Sequence, residues 1–226
     1  MSVRVFAIRP EPGLASTITA GVTKGIPIIG HSLSRIEPRG WTLPDLDRID
    51  GLLIGSANAV RHAGKKLEAL KDLPVLAVGK TTAQAAQDAG FNVEQTGSGG
   101  LQNVLDGMAN RPRHLLRLAG EEHVALMRPA QINLTTRVVY RAKSVEISDD
   151  FANFLRSESI VLLHSASAAA HFATECDRMQ IARKNISLIA LGPRILEPVG
   201  GGWKTKRAAQ TPEESALLAL VQNLCH

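Results

Sequence analysis

The sequence predicts an α/β protein with two similar three-layer parallel-sheet domains, one of them discontinuous, joined by a two-stranded β-ladder linker. Two observations predict this architecture. Short apolar runs alternate with helical patterns along most of the 226 residues, as they do in parallel sheets covered by helices on both faces. In addition, the stretch 54–62 returns in degenerate form as the stretch 163–171, roughly 110 residues later. The chain therefore repeats one strand–turn–helix unit.

The elements of the first half follow from apolar periodicity and from turn residues. Gly25 and Gly90 end two of the helical patterns. Pro27 lies in the apolar run 26–29, which it places at a strand start or a sheet edge. Residues 31–38 alternate apolar and polar side chains, which predicts an extended segment exposed on one side. The predicted strands are 3–8, 26–29, 51–54, 75–78, 91–94 and 114–118, and the predicted helices are 14–24, 57–70, 81–89, 101–108 and 122–131.

The second half begins with a long extended stretch, residues 137–147, which also alternates in part. Helices are predicted at 149–156, 166–179 and 212–224, and strands at 160–163 and 187–191, with a glycine turn at 200–202. Thr211, Pro212 and Glu214 fit the N-cap, first and third positions of the last helix.

The domain boundaries follow from the number of strands. Only two strands precede the first extended stretch, which is too few for a domain, and joining residues 1–30 to residues 148–226 completes the first α/β domain. Residues 38–136 then form the second domain, and residues 31–37 and 137–147 are the linker strands.

Composition limits the classes of function. The net charge of +5 and the pI near 9.5 are compatible with an anionic ligand, with nucleic acid or with an ordinary solvated surface. Basic clusters occur at 61–66, 111–114 and 204–207, but aromatic residues make up only 4% and do not lie among them. A stacking platform for nucleic acid is therefore not expected. No run of about 18 apolar residues indicates a membrane span.

Cofactor signals are missing from the sequence. Cys176 and Cys225 have neither CxxC nor zinc-finger spacing, and the seven histidines are scattered, so no metal site is expected. Neither GxGxxG nor GxxxxGK[ST] occurs. The chain starts on a strand pattern instead of a signal peptide. We expect reduced thiols, a cytoplasmic location and a monomer that uses no cofactor and binds neither nucleic acid nor membrane.

Small and hydroxyl residues stand at the predicted carboxyl ends of the strands, where open α/β sheets bind ligands. Amides at the helix N-termini there favour carboxylates or phosphates, although the same side chains also serve as plain helix caps. Tyr140, the single tyrosine, lies in the predicted linker and is either packed at the domain junction or a hydrogen-bond donor in the cleft. The turns are Arg9-Pro10, Gly55 to Asn58, Gly79 to Thr82, Gly120-Glu121, Ser165 to Ser167 and Gly192 to Arg194.

On these residues the chain resembles the uroporphyrinogen-III synthase family over nearly all of its length. The order and spacing of several stretches carry the resemblance: Arg9-Pro10, 50–60, 77–83, 116–120, Val139-Tyr140, Ser165 to Ser167 and Leu191 to Pro193. The resemblance implies two α/β domains, one discontinuous, joined by a β-ladder, with the active site in the cleft between them. It also implies that no metal or organic cofactor is used.

The activity that the resemblance implies is cyclisation of the linear tetrapyrrole hydroxymethylbilane to uroporphyrinogen III. The reaction, a lyase step of porphyrin and heme biosynthesis, releases water and inverts the terminal pyrrole ring, ring D. Loss of the hydroxyl gives an azafulvene, the terminal pyrrole attacks at its substituted carbon to form a spiro intermediate, and fragmentation and reclosure follow. The substrate carries eight carboxylates, and delivery by hydroxymethylbilane synthase is a further expectation.

The site residues follow from family position. Tyr140 is expected to assist departure of the hydroxyl. Arg194 stands where the family commonly has hydroxyl residues, and it either replaces those hydroxyls as a carboxylate partner or alters the site. Gly55 stands where the family usually has threonine, which removes another donor. The expected substrate-binding residues are Arg9, Ser56, Ala57, Asn58, Gly79, Lys80, Thr81, Thr82, Gly120, Ser165, Ala166, Ser167, Gly192, Pro193 and Arg194.

Two other functions remain open from the sequence. A non-catalytic two-domain module would close on a small polyanion without turnover. A nucleic-acid-binding protein would show an affinity that falls steeply with salt.

Overall fold

A computed structural model describes residues 3–108 and 113–225, apart from the side chain of Cys225. The described chain divides into two compact units. Residues up to Arg35 together with those from Lys143 onward form the discontinuous unit, and Ile36–Ala142 form the continuous unit. Both units are α/β with parallel sheets, which confirms the predicted fold class.

The strands and helices have the following bounds. The strands are β1 (Arg4–Ala7), β2 (Ile28–Gly30), β3 (Ser34–Pro38), β4 (Gly51–Ile54), β5 (Val75–Val78), β6 (Val93–Gly97), β7 (Arg113–Gly120), β8 (Ile132–Ser144), β9 (Ser159–Leu163), β10 (Ile186–Ala190) and β11 (Thr205–Ala208). The helices are α1 (Gly13–Thr23), α2 (Ala57–His62), α3 (Lys80–Asp88), α4 (Leu101–Asp106), α5 (Asp149–Leu155), α6 (Ala166–Arg178) and α7 (Glu214–Cys225). None of the described helices is long and apolar enough to cross a membrane.

Among the described residues, the discontinuous unit has a five-stranded parallel sheet in the order β11-β10-β9-β1-β2. Apart from Arg4, Ser159 and Ser187 at or near their starts, its central strands β1, β9 and β10 are apolar, as expected of strands covered on both faces. Phe6 and Val161 point into one core with α5 and α6, whereas Val5 and Leu162 point into the other with α1 and α7. Period-two alternation of strand side chains thus divides the sheet between two cores.

The described part of the continuous unit has a six-stranded sheet in the order β3-β8-β7-β4-β5-β6. Leu52 and Leu116 pack with α2 and α3 on one face, and Leu53 and Leu115 pack with α4 on the other. β3 lies beside β8 at the sheet edge, so both predicted extended stretches contribute strands here. Their role as a linker stays a prediction.

The predicted helix 122–131 is wrong, because residues 121–131 are irregular. Side chains from the rest of the unit bind the backbone of this segment. The Gln102 amide donates to Met127 O at 2.9 Å and accepts from Met127 N at 2.9 Å, and Arg117 Nη1 donates to Val124 O at 2.9 Å. These contacts satisfy backbone groups that a helix would otherwise pair.

Other differences lie where a glycine or a sheet edge decides the structure. The predicted helix 57–70 ends at His62, and Gly64, with a φ of +72°, starts a 3-10 helix over Gly64–Leu70. The basic cluster 204–207 is mostly the edge strand β11, which the sequence analysis missed. Charged side chains are common on edge strands. Arg111 and Pro112 of the basic cluster 111–114 lie outside the described residues.

Candidate functional site

In each unit, the predicted site residues stand on loops at the carboxyl ends of neighbouring parallel strands. In the discontinuous unit, Arg9 follows β1, Ser165 follows β9 and Gly192 follows β10. These three strands are neighbours in the sheet, so their loops share one edge. Their companions Ala166, Ser167, Pro193 and Arg194 are exposed on the same loops and the following helix starts.

The continuous unit repeats this arrangement. Ser56 follows β4 and Gly79 follows β5, while Gly120 ends β7 beside Tyr140 of β8. The order β8-β7-β4-β5 again makes these strands neighbours. The remaining members of the predicted set lie at the starts of α2 and α3: Ala57, Asn58, Lys80, Thr81 and Thr82.

Two serines show that the internal repeat extends to local geometry. Ser56 has φ −151° and ψ 135°, and its hydroxyl accepts from Asn58 N at 3.2 Å. Ser165 has φ −149° and ψ 152°, and its hydroxyl accepts from Ala168 N at 3.3 Å. Both serines are helix caps. A hydroxyl that accepts a hydrogen bond from an amide still carries its own proton, so each serine remains able to donate a hydrogen bond to an anion.

Gly79 supplies a different helix start. It has a φ of +82°, in the left-handed region that favours glycine. A Cβ at this position would meet nothing within 4 Å among the described atoms, so the backbone conformation alone explains the glycine. Within the described residues no side chain caps α3. The first amides of the helix therefore remain open to an anion.

The phenol of Tyr140 lies across Gly120. The β7–β8 register shifts between Ala119 and Gly120, so that Val138 and Tyr140 face them while Val139 is left over. Such a bulge redirects the side chain that follows it. A Cβ at Gly120 would lie 2.6 Å from Tyr140 Cζ and 2.9 Å from its Oη. Glycine at this position is what allows the ring to reach the strand end.

Arg117 is a buried cation close to this strand end, and the sequence analysis did not single it out as a site residue. It is 5% exposed, and its Nη1 donates to Val124 O at 2.9 Å. Within the described residues, Arg117 Nε is buried without a partner. Burial lowers the pKa of Arg117, and Tyr140 opposes that shift. The signal in the sequence is one arginine inside the apolar run Leu115 to Ala119 of β7.

Arg9 belongs to a polar cluster that sequence reasoning also missed. Its Nη1 donates to Thr17 Oγ1 at 3.4 Å and to Glu214 Oε2 at 3.5 Å. His164 Nε2 lies 3.2 Å from the same carboxylate oxygen. Burial lowers the pKa of the Arg9 guanidinium, and the charge of Glu214 opposes this. We name Arg9, Thr17, His164 and Glu214 the Arg9 cluster.

Glu214 therefore does not act in the capping set that the sequence predicted. The helix α7 begins at Glu214 itself, and its carboxylate contacts His164 instead of an amide of its own first turn. Burial raises the pKa of Glu214, but the interactions with its three partners outweigh burial, so the pKa lies below its ordinary value. An ionised carboxylate only accepts, which makes His164 Nε2 the donor.

Comparison with known proteins identifies the family. The sequence profile of the HEM4 family, uroporphyrinogen-III synthase HemD, matches residues 24–219. No curated protein matches the sequence. Among solved structures, a uroporphyrinogen-III synthetase from Helicobacter pylori aligns with a TM-score of 0.67 at 20% identity, covering 98% of this chain and 99% of that chain.

A mutant uroporphyrinogen III synthase from Thermus thermophilus aligns with a TM-score of 0.55 at 16% identity, and 98% of each chain is covered. At these identities the two structures support the fold alone. The family profile spans most of the sequence and therefore shows the family. The chain belongs to the uroporphyrinogen-III synthase HemD family.

Proposed function

We propose that this chain cyclises hydroxymethylbilane to uroporphyrinogen III, with loss of water and inversion of ring D. The family profile over residues 24–219 carries the proposal, because it assigns the chain to the uroporphyrinogen-III synthases, lyases of porphyrin and heme biosynthesis. The geometry of the strand-end loops supports it. They present the amides, hydroxyls and cation that a polycarboxylate would need.

The loops of both units hold the eight carboxylates of the substrate, and the substrate lies in a cleft between the units. Donors in the continuous unit are the hydroxyls of Ser56 and Thr81 and the first amides of α3, with the Lys80 ammonium nearby. Donors in the discontinuous unit are Ser165, Ser167, the loop after Gly192, and Arg9. Pro193 has no amide hydrogen to donate and contributes only to the shape of the loop. Arg194 supplies the positive charge there. The other members of the predicted set contribute shape or polar contacts beside these donors: Ala57, Asn58, Thr82, Gly120 and Ala166.

Tyr140 assists departure of the hydroxyl. Its phenol is half-buried and gives its proton to the leaving hydroxyl, so that water departs when the carbon–oxygen bond breaks. The pyrrole nitrogen of the same ring loses its proton as the azafulvene forms, and that proton restores the phenol. The resulting azafulvene accepts the substituted carbon of ring D, which gives the spiro intermediate and then the inverted ring. Because the substrate closes without inversion when unaided, most of the effect comes from holding its two ends in the required geometry.

The setting of the reaction is also part of the proposal. The chain acts as a monomer in the cytoplasm without a cofactor and receives its substrate from hydroxymethylbilane synthase. A reduced, buried Cys176 is compatible with that compartment.

A coupled assay tests the activity. Hydroxymethylbilane is generated in situ, the protein is added, and the oxidised products are separated into type I and type III uroporphyrin by chromatography. Dominant type III product is expected. Type I alone, at the rate without protein, would reject the activity and leave the non-catalytic polyanion module. That module would still bind uroporphyrin, with an affinity that depends only moderately on salt. A steep salt dependence of DNA or RNA affinity would instead indicate a nucleic-acid-binding protein.

A further inference from the structure

The Arg9 cluster joins four parts of the discontinuous unit. Arg9 follows β1, Thr17 is in α1, His164 follows β9, and Glu214 begins α7. Thr17 is fully buried, and the His164 side chain is 5% exposed, whereas the side chains of Arg9 and Glu214 are 31% and 28% exposed. The buried members thus support an ion pair that still reaches solvent.

The hydrogen bonds of Arg9 leave most of its donors unused. Both of its contacts come from Nη1, at 3.4 and 3.5 Å. Charge-assisted hydrogen bonds are usually about 2.7–2.9 Å long, so these two are weak. No hydrogen bond joins Nε or Nη2 to another residue in the described ranges. These two atoms form the fork of the guanidinium that matches both oxygens of a carboxylate.

Gly13 lies beside this fork and leaves it room. A Cβ at Gly13, the first residue of α1, would lie 2.5 Å from Arg9 Nε and 2.7 Å from both Cζ and Nη2. Because the three nearest atoms include both Nε and Nη2, a side chain at this position would stand against the two nitrogens of the fork. The absence of a side chain at Gly13 keeps this side of the fork unobstructed at the helix start.

Glu214 is held in place from the other side. His164 Nε2 donates to its two oxygens at 3.3 and 3.2 Å, and Thr17 Oγ1 lies 3.5 Å from the same ring nitrogen. Within the described residues, His164 Nδ1 is buried without a partner, so the ring is committed to the cluster through Nε2. A carboxylate fixed in this way sets the direction of the Arg9 side chain without closing its fork.

We propose that Gly13, Thr17, His164 and Glu214 are positioning residues that present the Arg9 fork at the strand-end edge as the receptor for one substrate carboxylate. This inference rests on the proposed function for the identity of the ligand. It adds to that function the residues that orient the receptor.

Gly13→Ala and Glu214→Gln test the inference. Gly13→Ala changes no charge and displaces the guanidinium, and alanine is favoured over glycine within a helix, so the variant is expected to fold. For both variants we expect KM for hydroxymethylbilane to rise about tenfold, the effect of one charge-assisted hydrogen bond. The value of kcat is expected to change less than about threefold, because the receptor holds the substrate equally before and during reaction.

Matched controls are available in the same unit. Glu213→Gln removes an exposed charge next to Glu214, and Gly201→Ala adds a Cβ that meets no described atom within 4 Å. Both are expected to behave as the unmodified chain. Circular dichroism and the unfolding temperature of each variant show whether it folds. If Glu214→Gln unfolds, Gly13→Ala decides the question alone.

A double-variant cycle separates positioning from a structural role. In an Arg9→Gln background, Gly13→Ala and Glu214→Gln are expected to add less than about twofold to KM, because the receptor is already lost. Full additivity, or a Gly13→Ala variant with unchanged KM, would overturn the inference. The affinity of each variant for uroporphyrin III, read from porphyrin fluorescence, gives the same comparison without turnover. The inference therefore remains testable if the unmodified chain makes only type I product.

Discussion

Replacing Gly120 by alanine is expected to slow the reaction by displacing the Tyr140 phenol. The new Cβ would lie 2.6 Å from Tyr140 Cζ, whereas carbon atoms in contact are about 3.5–4.0 Å apart. The ring therefore has to move by about 1 Å. A misplacement of that size costs about a hundredfold in rate, which corresponds to about 2.7 kcal/mol of transition-state stabilisation. Stability is expected to fall by only about 1–3 kcal/mol, the usual cost of overpacking.

The assay is the initial rate of type III uroporphyrin formation, with thermal unfolding measured in parallel. Gly40→Ala is the control in the same unit, because a Cβ there meets no described atom within 4 Å. Tyr140→Phe serves as the reference for loss of the phenol hydroxyl. If Gly120→Ala keeps a rate within about twofold of the unmodified chain while Tyr140→Phe is slow, the reasoning from ring placement is refuted.

Three further predictions follow from the site and the core. Tyr140→Phe is expected to lower the rate of type III formation more than any single serine-to-alanine change in the strand-end loops, and an equal or smaller loss would contradict its role. Glu175 accepts from Ile147 N at 2.7 Å and from Arg178 Nη2 at 2.7 Å, and the Arg178 hydrogen bond holds its pKa below the ordinary 4.5 despite burial. Its stabilising effect is therefore complete above about pH 4.5 and is lost as the pH falls through the lower folded value. Urea unfolding of Glu175→Gln at several pH values should show lower stability at neutral pH and a flatter decline in acid, and an unchanged acid decline would contradict this. Burial raises the pKa of the Cys176 thiol to about 12, so iodoacetamide is expected to label the peptide that contains it only after unfolding, and rapid labelling of the folded chain would show that the thiol is accessible.

The main sheets could be predicted because their strands are buried on both faces. Runs such as Leu52 to Ile54 and Ile160 to Leu163 are apolar at every position and are followed by helical patterns, which is a local signal. The edge strand β11 carries Lys206 and Arg207, both exposed. An edge strand needs no apolar run, so its pattern resembles that of a loop.

The Arg9 cluster could not be predicted from local patterns. Arg9 and Glu214 lie 205 positions apart in sequence, and no period or spacing connects them. Glu214 also fitted a helix-capping set, which is a local and plausible alternative. The helix predicted at 122–131 was wrong for a similar reason. The backbone of the irregular segment 121–131 is hydrogen-bonded by the side chains of Gln102 and Arg117, which belong to other elements.

The fraction of type III isomer measured against protein concentration tests the central claim most directly. Hydroxymethylbilane is generated at a fixed rate, and increasing amounts of the chain compete with its spontaneous closure. The account predicts that type III rises with concentration until type I disappears, and that heat-denatured protein has no effect. A product that remains type I at every concentration would contradict the claim that this chain directs inversion of the terminal ring.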